Sequence, residues 1–110
     1  SREFYEKAIE LDSSMSNAYL NLVALILKDE AAIVEQMNSL TNSRADNVKY
    51  DKLKKKREDI YIECVPILKS LIDLDDTNLD AIKTLKNIYG TIGDNDGFKA
   101  MKELEDKAQQ

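Results

Sequence analysis

Four aspartates, Asp73, Asp75, Asp76 and Asp80, crowd into eight residues, and carboxylates at that density are the side chains that hold calcium. Their spacing has neither the glycine nor the distal glutamate of a calcium-binding helix-loop-helix. They read instead as turn residues and as acidic charge at a helix N-terminus. A second cluster, Lys49, Lys52, Lys54, Lys55, Lys56 and Arg57, carries enough positive charge to attract phosphate or anionic lipid. It is interleaved with Asp51, Glu58, Asp59 and Glu63, and Lys54–Glu58 and Lys55–Asp59 stand four residues apart, the spacing of ion pairs along one helix face. A solvated face laced with salt bridges is therefore expected, with some pull on an acidic partner. Cys64 lies on an apolar stripe and reads as a small core residue rather than a nucleophile.

The composition narrows the chemistry further. The chain has no histidine, which removes the usual general base, the Ser-His and Cys-His nucleophile pairs and the commonest transition-metal ligand. No glycine-rich loop is present to cradle a phosphate. The expectation is a non-catalytic protein with no cofactor and no metal. A net charge of −5 argues against nucleic acid as a bulk partner, because phosphate binding needs a basic face. The longest unbroken apolar run, residues 22–27, falls far short of the ~20 residues that span a bilayer, so no membrane insertion is expected. A lone cysteine allows no internal disulfide and leaves the compartment open.

The elements that position these residues are helices. Among 110 residues there are three glycines and one proline, and no β-branched run of period two, so the fold class is all-α in a single domain over residues 1–110. Residues 1–11 read as a first helix, with Phe4, Tyr5, Ala8, Ile9 and Leu11 along one stripe. A polar turn, residues 12–16, follows, and Ser16 or Asn17 caps a long helix to about Leu40. One of its faces carries Tyr19, Leu22, Ile26, Ile33, Met37 and Leu40; a second carries Leu20, Val23, Leu27 and Val34. Residues 41–47 read as an exposed loop at the tip of a hairpin. A second long helix is expected from Val48 to Asp75, with a seam of Tyr50, Leu53, Ile60, Cys64, Ile67, Leu71 and Leu74 and a kink at Pro66. Thr77 and Asp80 are spaced as a capping box for a helix over residues 79–92. Gly93-Asp94 ends that helix and caps the last one, residues 95–107, in which Phe98, Met101 and Leu104 face inward.

One stretch is written twice. Residues 5–26 and 68–89, offset by 63, share Ile9/Ile72, Leu11/Leu74, Asp12/Asp75, Ala18/Ala81 and Leu22/Leu85. A duplicated helix-turn-helix is the mark of a helical repeat array. At these positions the chain resembles the tetratricopeptide repeat family: Tyr5, Ala8 and Leu11-Asp12, then Ala18, Tyr19 and Leu22, with Leu74-Asp75, Ala81, Ile82, Leu85 and Tyr89 in the second copy. The turn proline of that family is Ser13 here and Asp76 in the second copy, and its small residue is Val23 and Lys86. The offset of 63 exceeds the 34-residue unit. The difference implies an insertion around residues 30–60 that lengthens the middle helices into a projecting hairpin. Residues 49–78 also resemble a bacterial subgroup of the family with such an extension and an internal proline.

The resemblance implies a right-handed stack of antiparallel helix hairpins, about five helices with two unusually long central ones, forming the C-terminal part of a longer array. It implies a scaffold that binds a peptide or protein on the concave face lined by first helices. Carried onto this chain, those positions are Asn17, Leu20, Ala24, Leu27 and Lys28, then Asp80, Lys83, Asn87 and Thr91. Lys83 and Asn87 also have the spacing that some members use to clamp a C-terminal carboxylate, although an ordinary solvated face is the preferred reading. The alternative is a structural module that forms a homo-dimer or larger oligomer through its first helix or long hairpin.

Overall fold

The computed structural model describes residues 16–110, and these are all-α. Four helices follow one another: α1 (Ser16–Asn38), α2 (Arg44–Leu74), α3 (Leu79–Ile92) and α4 (Asn95–Ala108). The first expected helix, with Phe4, Tyr5, Ala8, Ile9 and Leu11, and the turn after it lie outside the described residues. Each described helix packs chiefly on its neighbours in sequence, α1 on α2, α2 on α3 and α3 on α4. No described helix is long and apolar enough to cross a membrane.

α2 dominates the molecule. Its 31 residues, at ~1.5 Å each, give about 46 Å, which matches the longest dimension of 47 Å. It starts four residues earlier than the apolar pattern suggests. Ser43 is its N-cap and accepts the Asp46 N–H at 3.1 Å, while Asp46 reaches back to accept the Thr41 N–H and hydroxyl at 2.9 and 2.8 Å. Those bonds satisfy amides that a loop over residues 41–47 would have left to water. The helix runs unbroken through Pro66.

The core gathers where three helices meet. Tyr19, Leu22, Val23 and Ile26 of α1, Cys64, Leu68, Leu71 and Ile72 of α2, and Ala81, Ile82, Leu85, Ile88 and Tyr89 of α3 form one buried cluster. Two of the five duplicated pairs share this fate: Ala18 and Ala81 are buried, and so are Leu22 and Leu85. Cys64 is fully buried, in keeping with a core role. The seam expected along α2 drifts, however. Cys64 and Leu71 of that seam are buried, but Leu68 and Ile72 are buried beside them, and Leu74 is 47% exposed. Seven residues of an α-helix fall ~20° short of two full turns, so a strict seven-residue stripe drifts round the helix. Residues 53, 60, 67 and 74 therefore rotate progressively away from the partner, and 64, 68, 71 and 72 rotate in.

The far end of the hairpin is built differently. Between Leu27 and Glu63 no residue is fully buried; Ile33, Val34, Met37, Leu40 and Leu53 are each half-covered. The turn between α2 and α3 departs from the expected capping box. Asp75 accepts both the Thr77 N–H and its hydroxyl, at 3.1 and 2.6 Å, so Thr77 is already engaged. Asn78 is the cap instead, accepting the Ala81 N–H at 3.1 Å. Gly93 adopts the left-handed conformation, φ 81°, and Asp94 caps α4 through the Gly97 N–H. α4 then lays Phe98, Met101, Leu104 and Ala108 against the core. A 2.8 Å bond from Lys86 to Glu105 ties it to α3.

A candidate binding groove between the first three described helices

Between α1, α2 and α3 lies an open groove of about 210 Å³. Leu27 and Ile88 give it an apolar floor, Tyr61 contributes from α2, and Glu30, Thr84, Asn87 and Thr91 supply polar atoms. The sequence places α3's share by simple spacing: Thr84, Asn87, Ile88 and Thr91 are three and four residues apart and so fall along one side of the helix.

Glu30 organises the α1–α2 wall. Its Oε1 accepts Arg57 Nε at 2.8 Å and the Tyr61 hydroxyl at 2.7 Å, and the Tyr61 hydroxyl accepts from Arg57 at 3.2 Å. The guanidinium carbon also stands 5.3 Å from the centre of the Tyr61 ring, within cation–π range. Burial and the bond to Glu30 push the Tyr61 hydroxyl above its ordinary pKa, against the opposing pull of Arg57. The hydrogen bond to Glu30 likewise raises Arg57 further. Both bonds land on one oxygen of Glu30, and among the described residues the other oxygen keeps its acceptor sites.

On the α3 wall the two threonine hydroxyls turn back onto their own helix. Thr84 donates to the Asp80 carbonyl at 2.7 Å and Thr91 to the Asn87 carbonyl at 2.9 Å, which leaves their lone pairs as acceptors. The exposed Asn87 carboxamide makes no hydrogen bond among the described residues. It presents N–H donors and a carbonyl acceptor in the same plane, able to pair with both groups of a peptide unit.

Of the nine positions carried over from the repeat family, Leu27, Asn87 and Thr91 line this groove. Leu20 is half-buried against the core, and Asn17, Ala24, Lys28, Asp80 and Lys83 are exposed outside the lining. Lys83 makes no ion pair among the described residues, and on the α4 side it only adds, with Lys102, to the hydrogen bond from Lys86 that holds the Glu105 carboxyl below its usual range. Glu30, Tyr61 and Thr84 escaped the sequence reading, and Ile88 was expected only as a core residue of its helix. Tyr61 belongs to a second helix of a hairpin, and a rule that looks only at first helices passes over it. The Arg57/Tyr61 spacing of four was the available signal.

The lysine-rich stretch also differs from expectation. Neither Lys54–Glu58 nor Lys55–Asp59 closes an ion pair among the described residues, and Arg57 pairs across the hairpin with Glu30 instead. Asp73, Asp75, Asp76 and Asp80 do not converge on a common point; among the described residues no three acidic or cysteine side chains are placed to hold a metal ion. No family model matches this chain, and no curated protein matches it in sequence.

Proposed function

We propose that the protein is a non-catalytic interaction scaffold of tetratricopeptide-repeat type, and that the groove between α1, α2 and α3 takes a segment of another protein. The carrying observation is the lining itself. An apolar floor of Leu27 and Ile88 stands beside an uncommitted Asn87 carboxamide, which is the mix of shape and sparse polar groups that recognises a polypeptide. The neutral Glu30–Arg57 pair braces one wall without putting net charge into the groove. On this reading residues 30–60 hold the insertion that lengthens α1 and α2, and α4 acts as a polar-faced end cap.

Selection from a displayed random-peptide library on the immobilised chain tests this. Enriched peptides should lose about tenfold in affinity on Asn87→Ala and on Leu27→Asp. Peptides that bind equally well to both variants would place recognition elsewhere, and a library that yields no binder would overturn the reading.

Self-association has one observation in its favour: Val48 and Tyr50, at 53% and 44% exposure, lie on the hairpin. Light scattering over a concentration series separates the two. A constant monomer mass supports the scaffold, and a dimer that dissociates on Val48→Asp/Tyr50→Asp moves the function to oligomerisation.

A further inference from the structure

We propose that a second groove, where the end of α1 meets the N-terminal half of α2, docks an acidic amphipathic helix of a partner protein. The groove has a volume of about 360 Å³. Leu40 and Leu53, both half-buried, form its apolar strip, and Lys49, Lys52 and Lys56 border it. These lysines are three and four residues apart, so they stand in one row along α2, about 10 Å long at 1.5 Å per residue.

The charge of the row is uncommitted. Lys52, Lys54, Lys55 and Lys56 make no ion pair among the described residues, and Lys49 reaches Asp46 only at 3.9 Å with its side chain 68% exposed. The imbalance is also concentrated here. Residues 44–57 carry seven cationic side chains and two carboxylates, a net +5, so the rest of this −5 chain carries −10. A molecule that is otherwise acidic holds its net positive charge on one arm, beside apolar surface, and Lys52 and Lys56 of the row are in no ion pair among the described residues. Mutual repulsion along such a row is relieved by carboxylates at matching helical spacing on a facing helix, while apolar residues of that helix cover Leu40 and Leu53.

A polyanion with phosphate along its whole length fits less well. Asp51 and Asp59 share the adjoining hollow with Lys52, Lys55 and Lys56 and would repel it, as would the acidic remainder of the chain.

The test is fluorescence anisotropy of a labelled synthetic helical peptide bearing leucines on one face and glutamates one turn apart beside them, titrated with the whole protein. Binding that weakens with salt is expected, and Lys52→Glu/Lys56→Glu should weaken it by about tenfold or more. Lys99→Glu/Lys102→Glu, the same charge change on α4, should leave it unchanged, and a scrambled peptide of equal composition should bind about tenfold more weakly. Circular dichroism of both variants checks that the helices remain. No binding, equal binding of the scrambled peptide, or indifference to the Lys52/Lys56 change would overturn the proposal. So would tighter binding of a duplex oligonucleotide or of phosphatidylserine vesicles through the same lysines. A salt-sensitive oligomer of the protein alone, dissolved by Lys52→Glu/Lys56→Glu, would overturn it by naming a second copy as the occupant.

Discussion

Glu30 is the side chain through which two distant parts of the hairpin are joined, because Arg57 and Tyr61 both donate to its Oε1. The Glu30 side chain is 14% exposed and that of Arg57 33%, so the contact lies between a surface salt bridge of little worth and a buried one. Hydrogen bonds to charged groups contribute ~1.5–3 kcal/mol, and Arg57 can still reach water when its partner goes. Glu30→Ala should therefore destabilise the chain by about 1–3 kcal/mol in urea unfolding. A double-mutant cycle with Arg57→Ala should give a coupling of at least about 0.5 kcal/mol, and additivity of the two would remove Glu30 from this role. A second prediction concerns acid. The Thr41 N–H and hydroxyl hold the Asp46 carboxyl below the usual range, and Thr77 does the same to Asp75. A carboxyl lowered in the fold binds its proton more tightly when unfolded. Its stabilisation is complete above the unfolded pKa of ~4 and fades as pH falls through the lowered folded value. Asp46→Asn should flatten the acid limb of the stability curve; an unchanged limb would show that the bonds to Thr41 do not hold in solution.

At the scale of elements, the phase of α2 separates what a stripe predicts from what the packing does. Leu68→Ala should cost about 2–5 kcal/mol as a buried truncation, whereas the half-exposed Leu74→Ala should stay within about 0.5 kcal/mol. Equal losses in denaturant titrations would restore the strict heptad seam. The two glycines near the α3–α4 corner make a second contrast. A Cβ on Gly97 would stand 2.7 Å from the Tyr89 ring, too close without movement of a buried aromatic, so Gly97→Ala should destabilise by about 1–3 kcal/mol. On Gly90, inside α3, the nearest atom is Phe98 Cδ2 at 3.4 Å, and Gly90→Ala should stabilise by a few tenths to about 1 kcal/mol. Thermal melts that move both variants in the same direction would contradict this corner. The corner was legible beforehand because Gly93 and Asp94 act locally, one through its free φ and the other through its own carboxylate. The Ser43 cap was equally local and lay hidden in a stretch that looks like any polar loop. Asn78 was missed for a different reason, since Asp75 competes for Thr77 and shifts the cap by one residue. The Glu30–Arg57–Tyr61 contact had no local signature, joining residues 27 and 31 positions apart.

Across the whole molecule, burial divides the chain into a body and an arm, and stability should divide with it. Every fully buried side chain among the described residues lies at positions 18–26 or 64–89, and residues 27–63 contain none. Local opening is easiest where few apolar contacts are lost, so the arm can fray without exposing the core. Both helices are continuous from body to arm, and the Glu30 contact sits near the junction, where it resists the spread of that fraying. Amide hydrogen exchange should accordingly show two regimes. Amides near Leu68, Leu71 and Leu85 should exchange only through global unfolding, while those of residues 31–37 and 48–54 exchange through smaller openings. Glu30→Ala should speed exchange in the arm far more than the loss of global stability alone would. An arm that exchanges as slowly as the body would mean that something outside the described contacts holds it. Addition of the acidic helical peptide should slow exchange in the arm and leave the groove walls at Leu27 and Asn87 unaffected, because the two surfaces take different ligands. Protection appearing at Asn87 instead would merge the two sites into one.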